Sequence, residues 1–264
     1  MDAPGARLAF EGFGFRYAID LDAPTEFAQL RQHLLPGSVP VIGDEPAARY
    51  AITRACAERR FTLACDGEIL LADSAPPDVL HAFRSHVRLR MALAAGRWAF
   101  VHAGVVGWGD RVVVAVGRSF SGKTRLVAAL LRCGATYYSD EYAAVDERGL
   151  VHPFPQPLSV RADGERVGAL RDPEALGAVV GSEPRRTALL VDVHHEPGAR
   201  WDVRPLASVD VVLTMIAHTV AAQARPGHSL AVLARAAAGA RGIIGVRGEA
   251  VDAAEAIVRL LEVG

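Results

Sequence analysis

"AVGRSFSGKTRL", residues 115–126, decides how the rest of the chain is read. It carries the spacing Gly-x-x-x-x-Gly-Lys-Thr, with Gly117, Gly122, Lys123 and Thr124 at the defining positions. The chain has 29 basic residues, and Lys123 is the only lysine among them. The plain alternative is a glycine-bearing turn between a strand and a helix. Against it, "RVVVAV" reads as a strand before the loop and "TRLVAALLR" as a helix after it, stopped by Gly134. Strand, loop and helix in that order are the context a phosphate-binding loop requires.

The chemistry explains the residue types. Successive backbone N–H groups at a helix start, aided by the helix dipole, match several negative charges without water. Gly117 lets the chain leave the strand sharply, and Gly122 lets the backbone approach a phosphate with no Cβ in the way. Lys123 would reach the β- and γ-oxygens of a triphosphate, and Thr124 would offer its hydroxyl to Mg²⁺. Arg118, Ser119, Phe120, Ser121 and Arg125 complete the set expected around the nucleotide.

At 264 residues the chain is long enough for a substantial core, as one large domain or two smaller ones. A hydrophobic fraction of 51% and a charged fraction of 22% describe an ordinary soluble protein. The net charge of -1 gives no reason to expect a nucleic acid or an anionic membrane as partner. Cys56, Cys65 and Cys133 have no metal-like spacing and suggest no disulfide framework. "MDAPGARLAF" lacks the features of a signal peptide, and no apolar run reaches about 18 residues, so a cytoplasmic protein without a spanning helix is expected.

Residues 1–75 alternate short apolar segments with turns, including "FGFRYAIDL" and a hairpin signal at Asp66-Gly67 inside "RFTLACDGEILLAD". They read as a small β-rich or α+β module. Val79, Leu80, Phe83, Val87, Met91 and Ala94 recur at helical spacing, which makes 76–97 a connecting helix. Residues 98–264 then form the main domain of an α/β (α+β) fold, a mixed sheet with C-terminal helices. "WAFVHAGVVGWGDRVVVAVG" gives two strands turning near Gly109-Asp110, "TYYSDEYAAVDERGLVHPF" a strand and hairpin, and "TALLVDVHH" a buried strand. The last third reads as helical: one helix from Ser208 burying Val212, Met215, Ile216 and Val220, one opened by Pro226, and one carrying Val251, Ile257, Val258 and Leu261.

Asp140-Glu141 follows Thr124 by only sixteen residues, and His102 lies one hairpin upstream of the loop. "VHAGVV", "GRSFSGKT" and "YYSDEYAAV" together resemble the HPr kinase/phosphorylase family, and "HPFPQPLSVR" looks like the Pro-rich strand that follows in HPr-kinase-like proteins of bacterial gene clusters. The resemblance covers residues 98 to 165 well and the first module hardly at all. Two departures stand out. Arg118-Ser119-Phe120 replaces Asp-Ser-Gly, and Asp140-Glu141 replaces an Asp-Asp pair. The region that binds HPr in that family is not evident.

The resemblance implies an ATP- and Mg²⁺-dependent kinase moving the γ-phosphate to a hydroxyl, serine above all, of a protein or a biosynthetic peptide. Asp140 would accept the hydroxyl proton, Lys123 would neutralise the phosphate, and His102 would bond the transferring phosphate or orient Asp140. Glu141 would hold the metal with Thr124. A kinase of free small molecules is the nearest rival, since the fold is also similar to phosphoenolpyruvate carboxykinase. A nucleotide-binding regulator is the rival of another class. Asp192, His194 and His195 form a weaker, metal-like grouping, and Arg161, Arg185 or Arg186 could reach a phosphate. The sequence leaves open whether the chain forms a homo-oligomer.

Overall fold

The computed structural model describes residues 5–43, 45–55, 59–94, 96–117, 121–160 and 169–263. The chain divides into two compact units, residues 1–96 and 97–264.

The first unit is built on six strands: β1 (Ala6–Gly12), β2 (Phe15–Leu21), β3 (Val39–Pro40), β4 (Ala48–Arg54), β5 (Phe61–Cys65) and β6 (Glu68–Ser74). They lie in the order β3-β1-β2-β4-β5-β6, with β2 and β4 parallel and the other pairs antiparallel. Asp66 (φ 52°) and Gly67 (φ 86°) make the β5–β6 turn with two left-handed residues, as the hairpin signal requires. Helix α1 (Pro76–Ala94) buries Val79, Phe83, Val87 and Met91, and Phe83 stands edge-on to Tyr50 of β4 at 4.9 Å. The segment read as a connector is therefore part of the packing of this unit.

The second unit follows with β7 (Ala99–Trp108), β8 (Arg111–Val116), α2 (Lys123–Arg132), β9 (Thr136–Ser139), β10 (Tyr142–Val145), β11 (Val151–His152), β12 (Leu158–Val160), β13 (Ala169–Arg171), β14 (Arg186–His195), β15 (Asp202–Leu206), α3 (Ser208–Ala217), α4 (Pro226–Ala237), β16 (Arg241–Arg247) and α5 (Ala250–Glu262). Its main sheet runs β11-β10-β7-β8-β14-β16-β15, with β9 also on β7. β14 is parallel to both β8 and β16, so the sheet is mixed. Val112, Val114 and Val116 point to the layer made by α3 and α4, whereas Val113 and Ala115 point to the layer made by α2 and α5. A strand covered on both faces reads as a continuous apolar run, which is why "VVVAV" shows no alternation. Each buried valine contributes about 1.5–3 kcal/mol by leaving water.

Two expectations for the C-terminal third need correction. β16 is a central strand where helix was expected; Gly242 and Gly245 punctuate its pattern because Val211 and the backbone of β15 press against those positions. Helix α3 ends at Ala217 and buries Val211 and Met215, with Val212 and Ile216 half-buried. It stops early because His218–Val220 is drawn alongside β7, where Thr219 bridges Val101. Among the described residues, no helix is long and apolar enough to cross a membrane.

Candidate functional site

β8 pairs with β7 as far as Val116, opposite Ala103, and then leaves the sheet. Gly117 makes the exit at φ 150°, and a Cβ there would lie 2.6 Å from Ser121 Oγ. Gly122 caps α2 in the left-handed conformation (φ 82°, ψ 22°) without a side-chain cap. The first amides of α2 thus have no side chain bonded at the cap, the condition under which a helix start attracts an anion. Ser121 Oγ is buried and has no hydrogen-bond partner among the described residues. Arg118, Ser119 and Phe120 lie outside the described residues.

The acidic pair is set by Ser139, which is fully buried. Its hydroxyl accepts from the amides of Glu141 (3.1 Å) and Tyr142 (3.0 Å), shaping the bend between β9 and β10. The Glu141 carbonyl accepts from Ala103 N at 3.2 Å, so the bend is pinned to β7. Asp140 then lies over Gly104: a Cβ on Gly104 would be 3.8 Å from Asp140 Oδ1 and 2.5 Å from Val127 of α2. Helix and carboxylate meet above a residue with no side chain. There the Thr124 hydroxyl donates to Asp140 Oδ2 at 2.7 Å.

Lys123 reaches back over the loop and its ammonium donates to the Gly117 carbonyl at 2.8 Å. Burial pushes its pKa down, and the Asp140 and Glu141 carboxylates pull it back up. Both acids therefore act on the ammonium.

His102 is two residues before Gly104 on β7 and shares its face. Its ring is exposed and sits 4.9 Å from the Tyr142 ring. Its amide donates to the His218 carbonyl at 2.8 Å, so the segment after α3 occupies the sheet position that β8 vacates. Between this segment and the loop is a pocket of about 240 Å³ lined by His102, Gly117, Lys123, Ala217, His218, Thr219 and Val220. Lys123 and His102 both line this pocket, and the Thr124–Asp140 pair begins at the residue after Lys123. Arg125 is exposed on the first turn of α2.

Three residues that matter here carry no local signal in the sequence. Ser139 reads as any strand residue, and Gly104 as one glycine within "VHAGVV". Arg247, at the end of β16, was one of 28 arginines. Its guanidinium is buried and donates to the carbonyls of Gly122 (2.9 Å) and Ser121 (3.4 Å). The weaker candidates fare differently. Arg185 donates to the Gly109 carbonyl (2.7 Å) and lies over the Tyr138 ring, and Arg186 pairs with Arg111, all at the far end of β8 from the loop. Among the described residues no group of three or more His, Cys, Asp or Glu could hold a metal; His194 bonds Glu196 at 2.9 Å instead. Arg161 lies outside the described residues.

No protein-family model matches the chain, and no curated protein matches it. Among solved structures the chain is similar to the Hpr(Ser) kinase/phosphatase from Coxiella burnetii, at 14% identity and a TM-score of 0.31 over 62% of this chain and 99% of that one. The relationship is distant.

Proposed function

We propose that the second unit binds ATP with Mg²⁺ at residues 117–125 and transfers the γ-phosphoryl group to a hydroxyl, most directly that of a serine in a protein or peptide. The observation that carries this reading is the 2.7 Å bond from Thr124 to Asp140 at the start of α2. A hydroxyl that gives its proton to a carboxylate presents its lone pairs outward, as a magnesium ligand must. Thr124, Asp140 and Glu141 supply hard oxygens, the type magnesium takes alongside phosphate oxygens. The metal, when bound, would neutralise charge developing on the β- and γ-oxygens.

The chain's own groups do the rest. The loop amides and Lys123 hold the triphosphate and offset its charge. The acceptor hydroxyl enters the pocket beside Lys123, where His102 orients it or the phosphate. Its oxygen bonds to the γ-phosphorus as the bond to the β-phosphate oxygen breaks, its proton passes to Asp140, and ADP leaves. The Thr124 bond fixes the Asp140 carboxylate for that task. A pocket of about 240 Å³ admits a single side chain or a small alcohol, which keeps a small-molecule acceptor as the second reading.

Incubation with γ-labelled ATP, Mg²⁺ and the products of neighbouring genes tests this. Label should pass to one of them, and Asp140→Asn should abolish the transfer while nucleotide still binds. Normal nucleotide binding with no transfer to any protein, peptide or small alcohol would instead mark a regulator.

A further inference from the structure

Arg247 is 2% exposed, and among the described residues its hydrogen-bond partners are carbonyl oxygens. Nη2 donates to Gly122 and Ser121, and Nη1 to Gly248 at 2.9 Å. A trans peptide unit is planar, so its C=O and N–H point in opposite directions. Drawing the Ser121 carbonyl toward Arg247 turns the Gly122 N–H to the other side of the loop. Drawing the Gly122 carbonyl does the same to the Lys123 N–H. These two amides stand at the start of α2, where an anion would dock. We infer that Arg247 is a positioning residue that pre-orients the loop amides for a polyphosphate from behind.

Two further observations converge on this. Gly122 has no Cβ, and one built there would collide with Arg247 Nη2, so the glycine makes room for the guanidinium as well as for the turn. Among the described residues no carboxylate hydrogen-bonds Arg247; Glu249 attracts it only at longer range. A buried cation held by carbonyl dipoles leaves positive potential behind the loop, which a polyphosphate would neutralise. The guanidinium spreads these bonds over two nitrogens, Nη1 to Gly248 and Nη2 to Gly122 and Ser121, so the single nitrogen of a lysine could supply the charge without the same grip.

The inference rests on residues 117–125 being a phosphate site, and two readouts separate the claims. In nucleotide-free protein, ¹⁵N order parameters at residues 121–124 should fall in Arg247→Met from about 0.85 to below about 0.6, with β7 unchanged. Affinity for Mg²⁺-ATP and for inorganic tripolyphosphate should drop roughly tenfold or more in Arg247→Met and less in Arg247→Lys. Guanidinium ion should partly restore binding to Arg247→Ala. Unaltered order parameters, or a loss of order spread evenly over the second unit, would overturn the brace. If neither ligand binds the unmodified protein but the loop still loosens in Arg247→Met, the brace stands and the nucleotide reading fails.

Discussion

Gly67 in the first unit and Gly104 in the second are both glycines in strand-rich stretches, for opposite reasons. Gly67 closes the β5–β6 hairpin at φ 86°, and a Cβ there would meet nothing within 4 Å. Gly104 sits mid-strand on β7, and a Cβ would run into Val127 of α2. The same contrast runs through the polar groups. In the first unit buried hydroxyls are tied to neighbours within the unit: Tyr17 to Ser38 and Tyr50 to His86, each at 2.9 Å. In the second, Lys123, Thr124, Asp140, Glu141 and His102 gather at one end of one sheet. Gly67 serves a turn, whereas Gly104 brings backbone, helix and carboxylate together.

The largest effect expected is on transfer. Lys123→Ala should lower kcat/KM by roughly 10³, about 4 kcal/mol of transition-state stabilisation, while leaving the folding of both units intact. A loss of the same size from a charge-neutral change in the first unit would erase the distinction between the units.

Next comes a pH effect confined to the first unit. His33 is buried, and its pKa is lowered to about 4, first by burial and then by the charges of Arg84, His81 and Arg88, against the Leu80 carbonyl. The folded form is neutral where the unfolded form takes a proton, so stability is complete above about pH 6.5 and falls as pH drops toward 4. The gap caps the effect at about 3 kcal/mol. Urea unfolding of the unmodified chain and of His33→Gln across that window should show a shallower slope in the variant, with the remainder due in part to His86, whose pKa burial also lowers.

The paired glycines follow. Gly104→Ala should destabilise the second unit by about 2 kcal/mol, because Val127 must move, and should weaken nucleotide binding with it. Gly67→Ala should cost about 1 kcal/mol through its positive φ and leave binding alone. Thermal unfolding alongside nucleotide titration distinguishes the two. Equal effects on binding would contradict the assignment of Gly104 to the site.

What could be read from the sequence tracks which forces are local. The β7–β8 hairpin, the loop and α2 declare themselves through apolar runs, turn residues and helical period. Asp140 and Thr124 could be placed near each other because the helix and β9 between them are short. β16 stayed hidden because Gly242 and Gly245 answer to packing from Val211 and β15, not to strand propensity. Arg247 stayed hidden because nothing near it in sequence marks which of 28 arginines turns inward. The end of α3 at Ala217 was also beyond reach, since the edge of β7 sets it.

The central claim is that a Mg²⁺-polyphosphate is gripped where Thr124 meets Asp140. Calorimetric titration of the full chain with ATP, with and without Mg²⁺, tests it most directly, repeated on Asp140→Asn. Mg²⁺ should tighten ATP binding to the unmodified protein and tighten it far less in the variant. ATP binding that ignores Mg²⁺ in both proteins, or no binding in either, would contradict the account.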